Sequence, residues 1–210
     1  GQMEMARAGK AAALASASGA ELPAEIYQKS IVRTNIRLPR RAPLDRLRLR
    51  LTHRNPALGW PEFQGGNQTV IEKTEKELVL EVRRPAAPEG AKCPAAAGAE
   101  ASQCLEPNAY IQSDAPEIRN LALEIAGRET DAFRAALAME RWVAEHMTFD
   151  LGIVFAPATE VFKNRRGTCV GYATLLATLA RAAGIPSRVA MGYVYALGMF
   201  GGHAWTEILI

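Results

Sequence analysis

The 210-residue chain is 49% hydrophobic and 22% charged, the balance of a globular protein with room for one large or two small domains. Twelve prolines, seventeen glycines and a mean hydropathy of −0.06 exclude a coiled coil, a collagen and a largely disordered chain. No run approaches the ~18 apolar residues of a membrane span. A net charge of +3 implies no nucleic-acid partner by itself, and three cysteines are too few for a disulfide framework and too scattered for a structural zinc site.

Residues 1–26 begin with Gly1, as a processed or engineered N-terminus would, and contain the low-complexity run Ala11 to Ala20. That run is too weakly apolar for the core of a secretory signal, so a flexible or marginally helical lead-in is expected. Residues 27–84 alternate with period two. Strands are expected at Ile31–Arg33, Arg46–Thr52, Thr69–Ile71 and Glu77–Val82, with turns at Gly65-Gly66-Asn67 and Thr74-Glu75-Lys76, which makes a small antiparallel β module.

Charge concentrates in this module. Between Ile31 and Arg54 eight arginines face one acid, Asp45, so the segment is +7 and the rest of the chain −4. Arg46, Arg48 and Arg50 alternate with Leu47, Leu49 and Leu51, which puts the arginines on one strand face and the leucines on the other. No aromatic side chain is interleaved to stack a base. The pattern favours a solvated strand face over a nucleic-acid or anionic-lipid patch.

Residues 85–106 are rich in Ala, Pro and Gly and are expected to be a loop or linker. Cys93 and Cys104 lie in this stretch. Paired, they would close a small ring, leave Cys169 as the odd thiol and set the protein outside the reducing cytosol, in a periplasm or in secretion. Two unpaired loop thiols in a cytoplasmic protein are the alternative.

From residue 107 the period becomes 3.6. A helix is expected after Asp114, as its cap, with Pro116 in the first turn and a stripe of Ile118, Leu121, Ala122 and Ile125. Thr130-Asp131 opens a second helix with Ala136, Met139, Val143 and Met147 on one side. A third follows Gly167, apolar or small nearly all round, and stops at Gly184-Ile185-Pro186. Two strands, Arg188–Tyr195 and His203–Ile210, finish the chain, joined by the glycine-rich loop Gly198 to Gly202.

Cys169 falls in the first turn of the third helix, where free N–H groups and the macrodipole stabilise a thiolate. Arg165 and Arg166 just before it would add positive potential, and Gly167 and Gly171 would admit a substrate close to the backbone. A buried cysteine that packs as a small hydrophobe is the competing structural role. Of the three histidines, His53 is expected on the surface and His146 at a helix C-terminus, which it would help to cap. His203, after Gly201-Gly202 and on one strand face with Trp205 and Glu207, is the candidate general base.

The segment Arg166 to Arg188, with Arg166-Gly167-Thr168-Cys169-Val170-Gly171-Tyr172 at its head, resembles the core of the transglutaminase-like superfamily. Gly202-His203-Ala204-Trp205-Thr206-Glu207 is similar to that family's histidine motif, 34 positions after the cysteine. The resemblance covers roughly residues 107–210 and extends to bacterial members. It implies an α+β chain: a papain-like core, with the cysteine on a central helix facing a histidine on an antiparallel sheet, behind the N-terminal β module. By analogy Cys169 is the nucleophile and His203 the general base and acid. Gly171, Tyr172, Gly202 and Trp205 become candidates for the substrate site, and Asn164 for a side-chain oxyanion donor beside the Cys169 N–H. The family's orienting Asp or Asn is expected beyond Ile210, which would make this a C-terminally incomplete core. Glu207 is too far along its strand for that role, and Asp150 can be judged only in three dimensions.

A Cys–His pair of this kind implies amide chemistry through a thioacyl intermediate on a protein or peptide substrate, with no cofactor and no metal. Water as acceptor gives a peptidase or amidase, the outcome favoured by the bacterial resemblance, and an amine gives protein-glutamine transamidation. A non-catalytic binding module on the same scaffold is the rival from another class.

Overall fold

Period-two patterning builds the first unit. In the computed structural model, which describes residues 31–35, 37–38, 44–86, 90–92, 99–153 and 155–210, the first strands are β1 (Val32–Arg33), β2 (Arg46–Thr52), β3 (Gln68–Lys73) and β4 (Glu77–Arg83). The expected lead-in over residues 1–26 lies outside the described residues, as does much of the expected linker. β2, β4 and β3 form an antiparallel sheet with β4 in the middle. Leu47, Leu49 and Leu51 stand opposite Val82, Leu80 and Leu78. The leucines of β2 are half-buried and its arginines exposed, as alternation requires. A bulge after Val70 takes Ile71 out of register.

The arginine face carries its own acids. Glu81 lies opposite Arg48 and accepts from it at 2.6 Å, while Arg83 bridges to the other carboxylate oxygen at 2.8 Å. Glu77 meets Arg50 at 3.3 Å. The two arginines cover Glu81, leaving it 3% exposed. The Arg48 hydrogen bond holds the Glu81 carboxyl below its ordinary value, outweighing the opposing effect of burial. His53, expected on the surface, is half-buried instead. Its Nδ1 accepts from the Asn55 N–H, so Nε2 is the nitrogen that donates to the Gly59 carbonyl, and the ring sits edge-on to Trp60.

The second unit contains α1 (Ala99–Gln103), α2 (Pro116–Ala126), α3 (Ala132–His146), β5 (Thr148–Phe149), α4 (Ala158–Asn164), β6 (Arg166–Gly167), α5 (Cys169–Ala182), β7 (Ser187–Ala196) and β8 (Met199–Ile208). β1 belongs to this unit and not to the β module: Val32 and Arg33 pair with Phe200 and Met199 of β8. Period-two patterning marks a strand but not its partner. The described residues thus divide into a unit of residues 38 and 44–86 and another that takes those before 38 and after 88.

Helix α5 is the centre of the second unit. From Ala173 to Ala180 all residues but the half-buried Leu176 are buried. α2 and α3 lay Ile118, Leu121, Met139 and Val143 against Leu175, Leu179 and Ile185. The β7–β8 hairpin packs on α5 through two hydroxyls, Ser187 Oγ donating to the Ala177 carbonyl at 2.8 Å and Thr206 Oγ1 to the Ala173 carbonyl at 2.9 Å. Arg181 staples the hairpin's start, donating to the carbonyls of Ser187 and Glu106, and the Ser187 N–H donates to the Cys104 carbonyl.

Several boundaries differ from expectation. Asp131 caps α3 by accepting from the Arg134 N–H, but α2 starts from Ala115 with no side-chain cap, and Asp114 stays outside. The hairpin turns at Leu197-Gly198, both at positive φ, the two-residue geometry that matches strand twist. Phe200, Gly201 and Gly202 are therefore strand residues, not loop. α1 forms inside the expected linker, and α4 follows Pro157 where no helix was expected. The chain is an α+β protein.

Glu81 supplies a pH dependence. Its carboxyl is lowered in the folded state, so the stability it contributes is complete above its ordinary value of 4.5 and is lost as the pH falls through the lowered value. Glu81→Gln should weaken the protein at neutral pH and flatten the acid limb of its stability profile, measured by urea unfolding across the acid range.

Candidate active site

Cys169 is the first residue of α5, after Thr168 in extended conformation, so its backbone N–H belongs to the unpaired donors of a helix start. The approach to that start is held tightly. β6 runs parallel to β5, with Phe149 opposite Gly167. The Asp150 N–H donates to the Gly167 carbonyl at 3.0 Å and the Thr168 N–H to that of Ile153 at 3.2 Å. Gly167 lies so close to the helix that a Cβ there would sit 3.4 Å from the Gly171 Cα.

The two arginines before Cys169 act differently from the expected positive potential. Arg165 adopts the left-handed conformation (φ 54°), and its guanidinium lies 4.3 Å from the Trp142 ring centroid and 4.6 Å from that of Phe162. Its Nε donates to the Phe162 carbonyl, and desolvation among the rings lowers its pKa. His146 stacks on the other side of this cluster, 4.4 Å from Trp142, with Nδ1 against the Trp142 carbonyl at 2.8 Å. The expected capping role of His146 is met in this form. Arg166 pairs with Asp150 at 3.1 Å, so its charge is balanced locally. The Arg165 clamp was not found in the sequence, although Trp142 and His146, four apart on α3, were a signal for it.

Positions 169, 173 and 177 form one stripe of a helix. The Ala173 and Ala177 carbonyls accept from β8 and β7, so Cys169 stands on the sheet-facing side of α5. Four helical residues rise about 6 Å and two strand residues about 6.7 Å. Stepping back one turn from the Ala173–Thr206 contact therefore brings Cys169 to the level of Ala204, the neighbour of His203. Cys169 is half-buried, Ala204 is buried and His203 is exposed.

The pleat divides the β8 residues. Ala204 and Thr206 share the face that meets α5, while His203, Trp205 and Glu207 share the other. Trp205 extends along that other face over Gly192, the residue paired with His203. A Cβ on Gly192 would fall 2.8 Å from Cη2 of the indole. Glu207 is bound to Arg188 at 2.7 Å, and Asp150 to Arg166, so both acids weighed as orienting groups are engaged elsewhere. Gly202 is exposed opposite Tyr193, Tyr172 is half-buried against the core, and Asn164 ends α4 with an exposed side chain.

One substrate-site candidate is corrected. Gly171 is buried and turned towards Val161 and Met147, about 200° around the helix from Ala173. Its small size serves packing of β6 and α4 on α5. Cys104 carries a free thiol, while Cys93, and with it the suggested ring, lies outside the described residues. Among the described residues no group of His, Cys, Asp and Glu converges as a metal site would require.

Residues 119–210 match the profile of the transglutaminase-like superfamily. This part of the chain is similar to a transglutaminase-like core. A solved structure of a candidate cysteine protease from Cytophaga hutchinsonii aligns with a TM-score of 0.52 at 18% identity, over 79% of this chain and 61% of that one. At that identity the likeness shows the fold alone. The periplasmic domain of TgpA from Pseudomonas aeruginosa aligns at 21% identity with a TM-score of 0.45, over 63% of this chain and 49% of that one. The chain thus spans about three-fifths and one-half of these two structures. No curated protein matches it.

The two glycines predict opposite outcomes. A Cβ on Gly171 would make ordinary contacts at 3.7–3.9 Å, so Gly171→Ala should stabilise the core by up to about 1 kcal/mol through helix propensity. Gly192→Ala must displace the indole and should cost about 1–3 kcal/mol, both read by urea unfolding.

Proposed function

We propose that the transglutaminase-like core performs cysteine-dependent cleavage of amide bonds in a protein or peptide, with Cys169 as nucleophile and His203 as general base and acid. The observation that carries this reading is the Thr206–Ala173 hydrogen bond, which sets the hairpin's register on α5 and brings the helix-start thiol level with the residue next to His203. The imidazole itself stands on the opposite face of β8 from α5, paired through Gly192 in the hairpin, so its role as base rests on the likeness of Gly202–Glu207 to the family's histidine motif.

The chemistry is an acyl transfer. The Cys169 thiolate adds to the amide carbonyl, forming a C–S bond, and the free N–H groups at the start of α5 face the developing oxyanion. The C–N bond breaks as the leaving amine takes the proton held by His203. A water then gives a proton to His203 and adds to the thioester; the C–S bond breaks, releasing a carboxylic acid and the thiolate. Water is favoured over an amine as acceptor because His203 is exposed, and transfer to an amine requires a site that keeps water out.

Cys169 should react with iodoacetamide near neutral pH faster than free cysteine, and His203→Ala should slow that reaction about tenfold or more. Reaction at the rate of free cysteine would overturn the nucleophile assignment. Cys169→Ala should abolish turnover, followed as release of new amino groups from a peptide substrate.

A further inference from the structure

We infer that the thiol lies in an apolar cleft that takes acyl donors with a bulky aliphatic or aromatic side chain at or beside the reacting carbonyl; this rests on the assignment of Cys169 as nucleophile. One bank of the cleft is formed by described residues that follow α3. Phe149, Leu151 and Phe155 are 60%, 48% and 64% exposed, and Asp150 and Ile153 between them are bound to the approach of α5 through the Thr168–Ile153 and Asp150–Gly167 hydrogen bonds. The other bank is β7. Met191 and Tyr193, 67% and 55% exposed, share the sheet face of Ser187, the face that meets α5. They stand opposite Ala204 and Gly202, at and just past the level of Cys169, where the helix has ended and covers them no longer.

The two banks flank the thiol from different sides. The β5–β6 pair packs on the Gly171 side of α5, about 200° from the Ala173 stripe that meets the sheet, and Cys169 lies at the helix end between them. Single exposed apolar side chains are ordinary on a protein surface. Five on two elements that both end at the start of one helix are more than that scatter, and large apolar exposure beside a reactive group is the mark of a binding site. The charges of this region do not compete for the occupant, because Asp150 and Arg166 bind one another. A ligand seated here places its apolar side chains against the banks and its carbonyl at the sulfur.

Peptidyl chloromethyl ketones test this on the whole chain, because alkylation of Cys169 reads occupancy of the cleft directly. The acetyl-Leu-Phe reagent should inactivate Cys169 about ten- to a hundredfold faster than the acetyl-Gly-Gly and acetyl-Glu-Glu reagents. The double variant Phe155→Ser/Met191→Ser should remove most of that ratio, and Leu123→Ser, exposed on α2, should leave it in place. Equal rates for the three reagents, preference for the acidic one, or a ratio that survives the double variant would each overturn the inference, while fast labelling by iodoacetamide would still uphold the nucleophile. Slow labelling by iodoacetamide would instead remove the nucleophile and the cleft's role together.

Discussion

The seating of α5 between three helices and a β-hairpin is the contact on which the second unit depends. Both sides of the helix are covered, so its residues must be small or apolar, and the two threonines among them must be satisfied. Thr178 does this by donating to the Thr174 carbonyl one turn back. The hairpin approaches through Ser187 and Thr206, which donate to helix carbonyls already engaged in the helix ladder. Buried hydroxyls left without partners would cost about 1–3 kcal/mol each, and sliding the hairpin along the helix would strand both. These two bonds therefore fix register as well as closeness, and register decides what stands beside Cys169.

The start of α5 is fixed by different means. Its approach crosses a left-handed residue that is not glycine, Arg165, a conformation that is uncommon for a long side chain. The Trp142 and Phe162 rings, with the Phe162 carbonyl, hold the guanidinium in place and offset that strain. Beyond it, β6 borrows backbone partners from β5 and the loop after it, so the peptide leading to Cys169 is bonded before the helix begins. A thiol at such a position is presented by a rigid frame rather than by a loop tip, as reactive groups require.

The sequence was most informative where one period served one environment. Leu47, Leu49 and Leu51 alternate with arginines along β2, and both faces came out as the alternation demanded. The helical stripes of α2 and α3 and the uniform burial of α5 were equally legible, because an apolar stripe at 3.6 spacing has few other solutions. Short elements were not. β5 and β6 have two residues each and exist only because they meet, and β1 owes its place to β8 rather than to the module next to it in sequence. The turn of the last hairpin was misplaced because three glycines near Leu197 competed for it, and positive φ at Leu197-Gly198 settled the matter.

The same division holds at the site. The residue types and spacing of Cys169 and His203 carried the family resemblance, and a cysteine at a helix start is a local fact that needs no fold. Which way each neighbour faces is not local. Gly171 reads as room for a substrate and proves to be room for Val161 and Met147, because two residues carry a helix more than halfway round its axis. Asp150 and Arg166 are sixteen positions apart and neutralise one another only because β5 lies beside β6. The sequence by itself determined the alternating strand of the β module and the buried central helix, which are properties of local period, and its two motifs carried the resemblance that implied the fold class and singled out Cys169 and His203 as candidates. The tertiary structure alone decided the level of the thiol on the sheet, the partners of its neighbouring charges and the apolar banks around it, since these depend on contacts between segments that the chain order does not place together.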